Sequence, residues 1–202
     1  MDKNNKICES VNFPIIAFQR KELSGITNNI FVDTSRILSS DEKWKVSSIA
    51  IADDSGHLFE TKIRPYFQIH ESWRFRKVSK SLLFETGMEI NTAIKIIKYY
   101  VNNKNVIAWH MDGEIELMPN VLALAKTTHC AMKRFDPYRG VYNFSKGNYH
   151  YTKLHHALKL IGERFEGRGH HDDIEDVKAL KKIWDWMNKN PIRTPFVERI
   201  YE

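Results

Sequence analysis

The chain has few of the residues that stabilise cross-linked or membrane-inserted folds. Only two of its 202 residues are cysteines, Cys8 and Cys130, and they provide neither a disulfide framework nor the Cys-x-x-Cys pairs of a structural zinc site. The apolar run at residues 13–18 is too short for a membrane span or a signal-peptide core. We therefore expect a cytoplasmic protein with free thiols and no attachment to a membrane.

Two common catalytic motifs are also absent. The sequence has no Gly-x-Ser-x-Gly turn, which presents a nucleophilic serine, and no Gly-x-x-x-x-Gly-Lys loop, which cradles the phosphates of a nucleotide. Acyl transfer and nucleoside triphosphate hydrolysis consequently have no basis in the sequence.

The composition is that of one globular domain with a basic charge balance. Apolar residues make up 42% of the chain, and no change in composition divides it. We predict an N-terminal extension at residues 1–25, one domain at 26–190 and a C-terminal tail at 191–202. The excess of 31 Lys and Arg over 25 Asp and Glu favours a polyanionic partner such as nucleic acid.

The most informative segment lies near the C-terminus, where His171 precedes an amphipathic helix that contains Asp176. An imidazole before the helix and a carboxylate within it can converge on one point, which pairs a general base with a metal ligand. We interpret Asp172 and Asp173 as first-turn acids that complement the helix dipole. The pattern indicates phosphodiester hydrolysis.

A further acid, Asp33, follows a short apolar run that predicts a β-strand. A strand that ends at Asp33 would hold this carboxylate at the carboxyl edge of a sheet, where the sites of α/β proteins usually form. Asp33 is therefore the first predicted metal ligand.

These segments resemble the motifs of the DEDDh 3′–5′ exonucleases, the proofreading-type, DnaQ-like family. The resemblance spans residues 28–188, and Asp33, His171 and Asp176 match two of the family's acids and its histidine. It implies an α/β fold of the ribonuclease H-like exonuclease type, with a mixed central sheet flanked by helices. It also implies a site for two Mg²⁺ or Mn²⁺ ions that hydrolyses DNA or RNA from single-stranded 3′ ends to nucleoside 5′-monophosphates.

The order of predicted elements agrees with this resemblance. We expect hairpin strands at 46–52 and 57–65, a helix at 89–102 and a strand at 105–109. A further helix at 151–162, ended by a glycine, resembles the family helix that precedes the loop with the histidine.

One departure from the family pattern concerns the acid after Asp33. Ser35 stands at its position, and a serine hydroxyl brings no charged oxygen to a metal ion. Asp41 or Glu42 would compensate if the loop after Ser35 brought either carboxylate into the missing position.

A second departure concerns the middle motif, at residues 109–116, which offers three candidate acids. Because Pro119 suits the first turn of a helix, we expect a helix that begins near Glu116. Glu116 is therefore the favoured metal ligand, followed by Glu114 and then Asp112.

Basic and aromatic side chains alternate in two segments, as in proteins that bind single-stranded nucleic acid. The first segment, around residues 73–80, would precede the helix that lines the substrate groove, and the second spans residues 133–144. The predicted nucleic-acid contacts are Thr34, Ser35, Trp73, Arg74, Arg76, Lys77 and His110.

The sequence is compatible with two functions. One is an active metal-dependent 3′–5′ exonuclease, and the other is an exonuclease-like module that binds nucleic acid or a protein after losing turnover. A replacement for the acid missing at Ser35 would favour the enzyme, whereas a site of Asp33 and Asp176 alone would favour the binding module.

Overall fold

A five-stranded mixed sheet forms the centre of the protein, for which a computed structural model describes residues 28–70, 80–166 and 172–192. The strands are β1 (Asn29–Leu38), β2 (Trp44–Asp53), β3 (Leu58–Lys62), β4 (Asn105–Ala108) and β5 (Thr127–Cys130). They lie in the order β3-β2-β1-β4-β5. The strand β2 is antiparallel to both β1 and β3, whereas β4 is parallel to β1 and β5 is parallel to β4.

Helices cover both faces of this sheet. They are α1 (Lys80–Thr86), α2 (Ile90–Val101), α3 (Met111–Leu117), α4 (Pro119–Leu122), α5 (Ala131–Arg139), α6 (Leu154–Leu160) and α7 (Asp173–Lys189). Side chains of α2, α3 and α4 share one buried cluster with the sheet, and those of α5, α6 and α7 share another on the opposite face. A small hairpin of β6 (Tyr142–Asn143) and β7 (Asn148–Tyr149) separates α5 from α6 in the sequence.

The periodicity of apolar residues accounts for this layering. Along β1, Ile30 and Val32 enter the cluster beneath α2, whereas Phe31 enters the cluster beneath α7, as strand alternation requires. In α7, Val177 and Leu180 are fully buried and continue a stripe at helical spacing down to Met187. The first turn of α7 is thereby held against the face of β1 that carries Phe31, Asp33 and Ser35, the odd-numbered residues before the register shift that follows Ser35.

The predicted order of elements is confirmed, with adjusted boundaries. The strands expected at 46–52 and 57–65 correspond to β2 and β3, although β3 ends at Lys62. The helix and strand expected at 89–102 and 105–109 correspond to α2 and β4. The helix expected at 151–162 is shorter, and Gly162 follows it with a left-handed φ of 85°, as expected of the glycine that ends a helix.

Two sequence-based expectations are wrong. β1 does not end at Asp33 but continues to Leu38, because its antiparallel pairing with β2 extends to Trp44. No helix begins near Glu116, because a break at Met118 divides the segment into α3 and α4, with Pro119 opening the second helix.

The expected termini lie almost entirely outside the described residues. The N-terminal extension at 1–25 is not described, and of the tail at 191–202 only the first two residues are. Across the described ranges, no helix combines the length and apolar character needed to cross a membrane.

Candidate active site

A groove opens where β1 and β4 separate. The parallel pairing of these strands ends at Val32 and Ala108, after which the chain leaves β4 and enters α3. The resulting space is about 1090 Å³, which is ample for a nucleotide-sized ligand. Its lining includes Asp33, Thr34, Ser35, Arg36, Trp44, His110, Glu114, Tyr151, Lys153, His155 and Asp176.

Asp33 lies at the base of this groove, one residue beyond the last parallel pair. Strand alternation directs it to the same face as Phe31 and therefore towards α7. No donor in the described part of the chain forms a hydrogen bond with its carboxyl group. Burial, followed by the negative charges of Glu114, Asp176 and Asp173, raises the pKa of Asp33 well above its usual value.

Glu114 is the acid of the middle motif that enters the groove. Its side chain is only 8% exposed, and the hydroxyl of Thr34 donates a 2.6 Å hydrogen bond to its Oε2 atom. Burial raises the pKa of Glu114 to about 7, although the Thr34 hydrogen bond and the charge of Arg36 act in the opposite direction.

The other two candidates of the middle motif point elsewhere. Glu116 is exposed, since two positions along a helix correspond to a rotation of about 200° from Glu114. Asp112 is also exposed and forms a 2.6 Å ion pair with Lys133. The sequence ranked Glu116 first, but among the three acids of the middle motif only Glu114 lines the groove with Asp33.

Asp176 reaches the groove from the first turn of α7. Burial is the first cause that raises its pKa to about 7, and the negative charges of Asp173, Asp172 and Glu175 raise it further. Within the described residues, its carboxyl group accepts no hydrogen bond, as for Asp33.

Asp173 has a more specific environment than its predicted interaction with the helix dipole requires. It is 4% exposed, and its two carboxylate oxygens accept hydrogen bonds from Ser35, at 2.6 Å, and from Ser48. Asp172 instead caps the helix by accepting from the backbone N–H of Glu175. The sequence contained one signal for this environment: Asp173 and Asp176 are three residues apart, so both lie on the same face of the helix.

The structure brings together some of the predicted nucleic-acid contacts. Thr34, Ser35 and His110 all line the groove. The alternative acids Asp41 and Glu42 do not, since they lie in the turn between β1 and β2, where Asp41 contacts Ser39 and Lys43. The remaining predictions, which lie outside the described residues, concern the base His171 and the contacts Trp73, Arg74, Arg76 and Lys77.

Comparisons with solved structures find proteins of the same architecture. A 3′-exonuclease that recognises the histone mRNA stem-loop aligns with a TM-score of 0.56 at 11% identity, over 81% of this chain and 82% of its own. The Neurospora crassa Pan2 catalytic unit aligns with a TM-score of 0.61 at 13% identity, over 85% of this chain. E. coli exonuclease I, solved with an oligonucleotide, aligns with a TM-score of 0.59 at 12% identity, over 81% of this chain.

The chain has the ribonuclease H-like fold of the 3′–5′ exonucleases. The α/β fold expected from the sequence is thereby confirmed. Sequence comparison alone finds no matching family model and no matching curated protein. The chain spans 40% of the length of the E. coli exonuclease I chain and 29% of the length of the Pan2 catalytic unit.

The acids of this exonuclease fold have the donor chemistry that Mg²⁺ and Mn²⁺ prefer. Asp33, Glu114 and Asp176 provide only carboxylate oxygens, and burial raises the pKa of each one. The present side-chain positions in the described ranges do not include a group of three such ligands close enough to hold an ion. The fit therefore rests on the types of donor and on their shared groove.

Proposed function

We propose that the protein is a divergent, metal-dependent 3′–5′ exonuclease of the proofreading type, acting on single-stranded ends of DNA or RNA. The observation that carries this proposal is that Asp33, Glu114 and Asp176, from three separate elements, line one groove of an exonuclease fold. The charges of Glu114 and Asp176 raise the pKa of Asp33, and acids gathered in one groove in this way are costly unless a function retains them.

The proposed ligands are Asp33, Glu114 and Asp176, which would hold Mg²⁺ or Mn²⁺. When bound, such ions polarise a phosphate oxygen and lower the pKa of a coordinated water. We assign His171, by its sequence position, as the base that takes the proton of the attacking water. Attack at phosphorus would release the terminal nucleotide as a nucleoside 5′-monophosphate and leave a new 3′ hydroxyl on the strand.

The aromatic hairpin β6–β7 is proposed to receive the single strand next to the groove. The chain leaves β7 and enters the groove lining at Tyr151 and Lys153. This segment is fixed, because Trp109 donates to the carbonyl of Thr152 at 3.1 Å. Phe144, at the hairpin, is 81% exposed, so its ring is available to stack on an unpaired base.

Replacement of Phe144 by alanine is expected to weaken binding of single-stranded oligonucleotides by roughly tenfold, since a stacked base contributes about 1–3 kcal/mol. The measurement is fluorescence anisotropy of labelled DNA and RNA, supported by a thermal melt. The control is Tyr99→Ala. Tyr99 is 77% exposed near the C-terminal end of α2, which leads into the first residue of β4, at the end of that strand opposite to the groove. Equal affinities for the two variants would contradict the proposed strand path.

The function is tested by incubating the protein with oligonucleotides of DNA and RNA, labelled at either end, in the presence of Mg²⁺ and then Mn²⁺. A 5′-labelled strand should shorten into a ladder, whereas a 3′-labelled strand should release labelled mononucleotide first. Chelation of the metal should stop both reactions.

The alternative is a nucleic-acid-binding or protein-interaction module without turnover. The observation that favours it is Ser35, which replaces a charged ligand with a neutral hydroxyl. Oligonucleotide binding without cleavage in either metal would support this alternative and contradict the exonuclease.

A further inference from the structure

The hydroxyl groups of Ser35 and Ser48 converge on one carboxylate. These serines are directly paired across β1 and β2, and strand alternation directs both towards the first turn of α7. Ser35 donates to Oδ1 of Asp173 at 2.6 Å, and Ser48 donates to Oδ2 of the same side chain. The position that lacks an acid is therefore one hydrogen bond away from an acid on another element.

Ser35 lies between the groove and the buried carboxylate of Asp173. Ser35 lines the groove, whereas Asp173 is 4% exposed and does not belong to the lining. A serine hydroxyl has one proton, and Ser35 uses it to donate the hydrogen bond to Asp173. The lone pairs of the Ser35 oxygen therefore remain available as acceptors. Ser35 can thus offer its oxygen to the groove with a negative charge directly behind it.

We propose that Asp173 is a positioning residue that acts through Ser35 and supplies, from α7, the negative charge that the strand lacks at position 35. Ser35 then holds a divalent cation, or a water bound to that cation, with an oxygen polarised by the carboxylate behind it. Carboxylates in this outer position orient the ligands of metal sites and increase their basicity. The inference rests on the proposed function, because it assigns a role within the same metal site.

Helix stabilisation alone does not account for this arrangement. Asp172 already caps α7, and Glu175 and Asp176 already provide negative charge in its first turn. Asp173 adds a fourth carboxylate close to Asp33, Glu114 and Asp176, and its negative charge repels the charges of these three acids. This repulsion opposes folding unless a cation offsets it, so the position of Asp173 fits a cation site better than an anchor.

The test is the affinity for Mn²⁺, measured without substrate by the electron paramagnetic resonance signal of the free ion. Asp173→Asn removes the charge while keeping the size and a hydrogen-bonding group, and it should raise the Kd for Mn²⁺ by about 10- to 100-fold. The melting temperature without metal should be unchanged or higher, because a repulsive charge is lost. An anchoring role predicts the reverse result: a lower melting temperature with an unchanged Kd, which would overturn the proposal.

Two further variants test whether the effect is specific to Asp173: a matched control, and a double variant that moves the acid from α7 to the strand. Asp172→Asn removes an equal charge one residue away and keeps a good N-cap, so its effect on the Kd should be much smaller. The double variant Ser35→Glu with Asp173→Ser returns the acid to the strand and should recover affinity lost in Asp173→Asn. If Asp172→Asn weakens binding as much, or if the double variant stays as weak as Asp173→Asn, the specific role of Asp173 is refuted.

The failure of this inference can be told apart from failure of the proposed function. A wild-type protein that binds Mn²⁺ and cleaves, together with an equally tight Asp173→Asn variant, would overturn only the role of Asp173. A wild-type protein that neither binds Mn²⁺ nor cleaves would overturn both.

Discussion

Asp33→Asn is expected to reduce metal-dependent exonuclease turnover by about 1000-fold or more, because loss of an outer ligand alone commonly costs 10- to 100-fold. Asp33 lies at the base of the groove, and the acids Glu114 and Asp176 surround it from two other elements. Asparagine keeps the shape of the side chain but removes the charge that would bind the cation. The measurement is single-turnover cleavage of a 5′-labelled strand with saturating protein.

The fold should survive this substitution, so that the loss can be assigned to chemistry. Burial and the charges of neighbouring acids raise the pKa of Asp33 well above its usual value, which means that its ionised form opposes folding at neutral pH. The melting temperature without metal should therefore be unchanged or higher. Asp185→Asn is the control, since it removes an equal charge from a partly exposed ion pair on α7. Asp33→Asn turnover within about tenfold of wild type would show that Asp33 is not an essential ligand.

The acids that the sequence identified most directly are those defined by local patterns. Asp33 follows a β-rich apolar run, and Asp176 occupies a fixed position in an amphipathic helix, so each could be recognised within a window of a few residues. Both line the groove. The length of β1 was misjudged because residues 34–36 are polar and interrupt the apolar pattern, whereas the strand continues through them by pairing with β2.

The middle acid was ranked differently because one helix was expected where two are present. The helix α3 begins at Met111 and ends at Leu117, before the break at Met118, and its buried side carries Met111 and Glu114. Glu114 is then buried and Glu116 exposed. A proline at the first position of a helix marks where that helix begins, but it does not reveal a second helix directly before it.

The environment of Asp173 depends on contacts that are remote in the sequence. Its partners Ser35 and Ser48 are 138 and 125 residues away, and both belong to the opposite end of the chain. A first-turn aspartate is adequately explained by the helix dipole when only its neighbours are considered. Its additional contacts become visible only when β1, β2 and α7 are assembled.

Glu114→Gln is expected to stabilise the protein without metal at about pH 8 by as much as about 3 kcal/mol, and to have little effect on stability in acid. The pKa of Glu114 is raised from 4.5 to about 7, chiefly by burial. Between these values the native state binds more protons than the unfolded state, so the free energy of unfolding falls as the pH rises. Glutamine removes this contribution, and its amide oxygen can still accept the hydrogen bond of Thr34.

The measurement is urea unfolding of the wild type and of Glu114→Gln from acid to about pH 8, in the presence of a chelator. The difference in free energy should grow as the pH rises towards 7 and then level off. The control is Glu116→Gln, an identical change on the exposed side of the same helix, which should stay within about 0.5 kcal/mol of wild type. Stabilisation by Glu114→Gln that is independent of pH would contradict a buried, titrating carboxyl group. Only Glu114→Gln should also impair cleavage, because among the acids of α3 only Glu114 lines the groove.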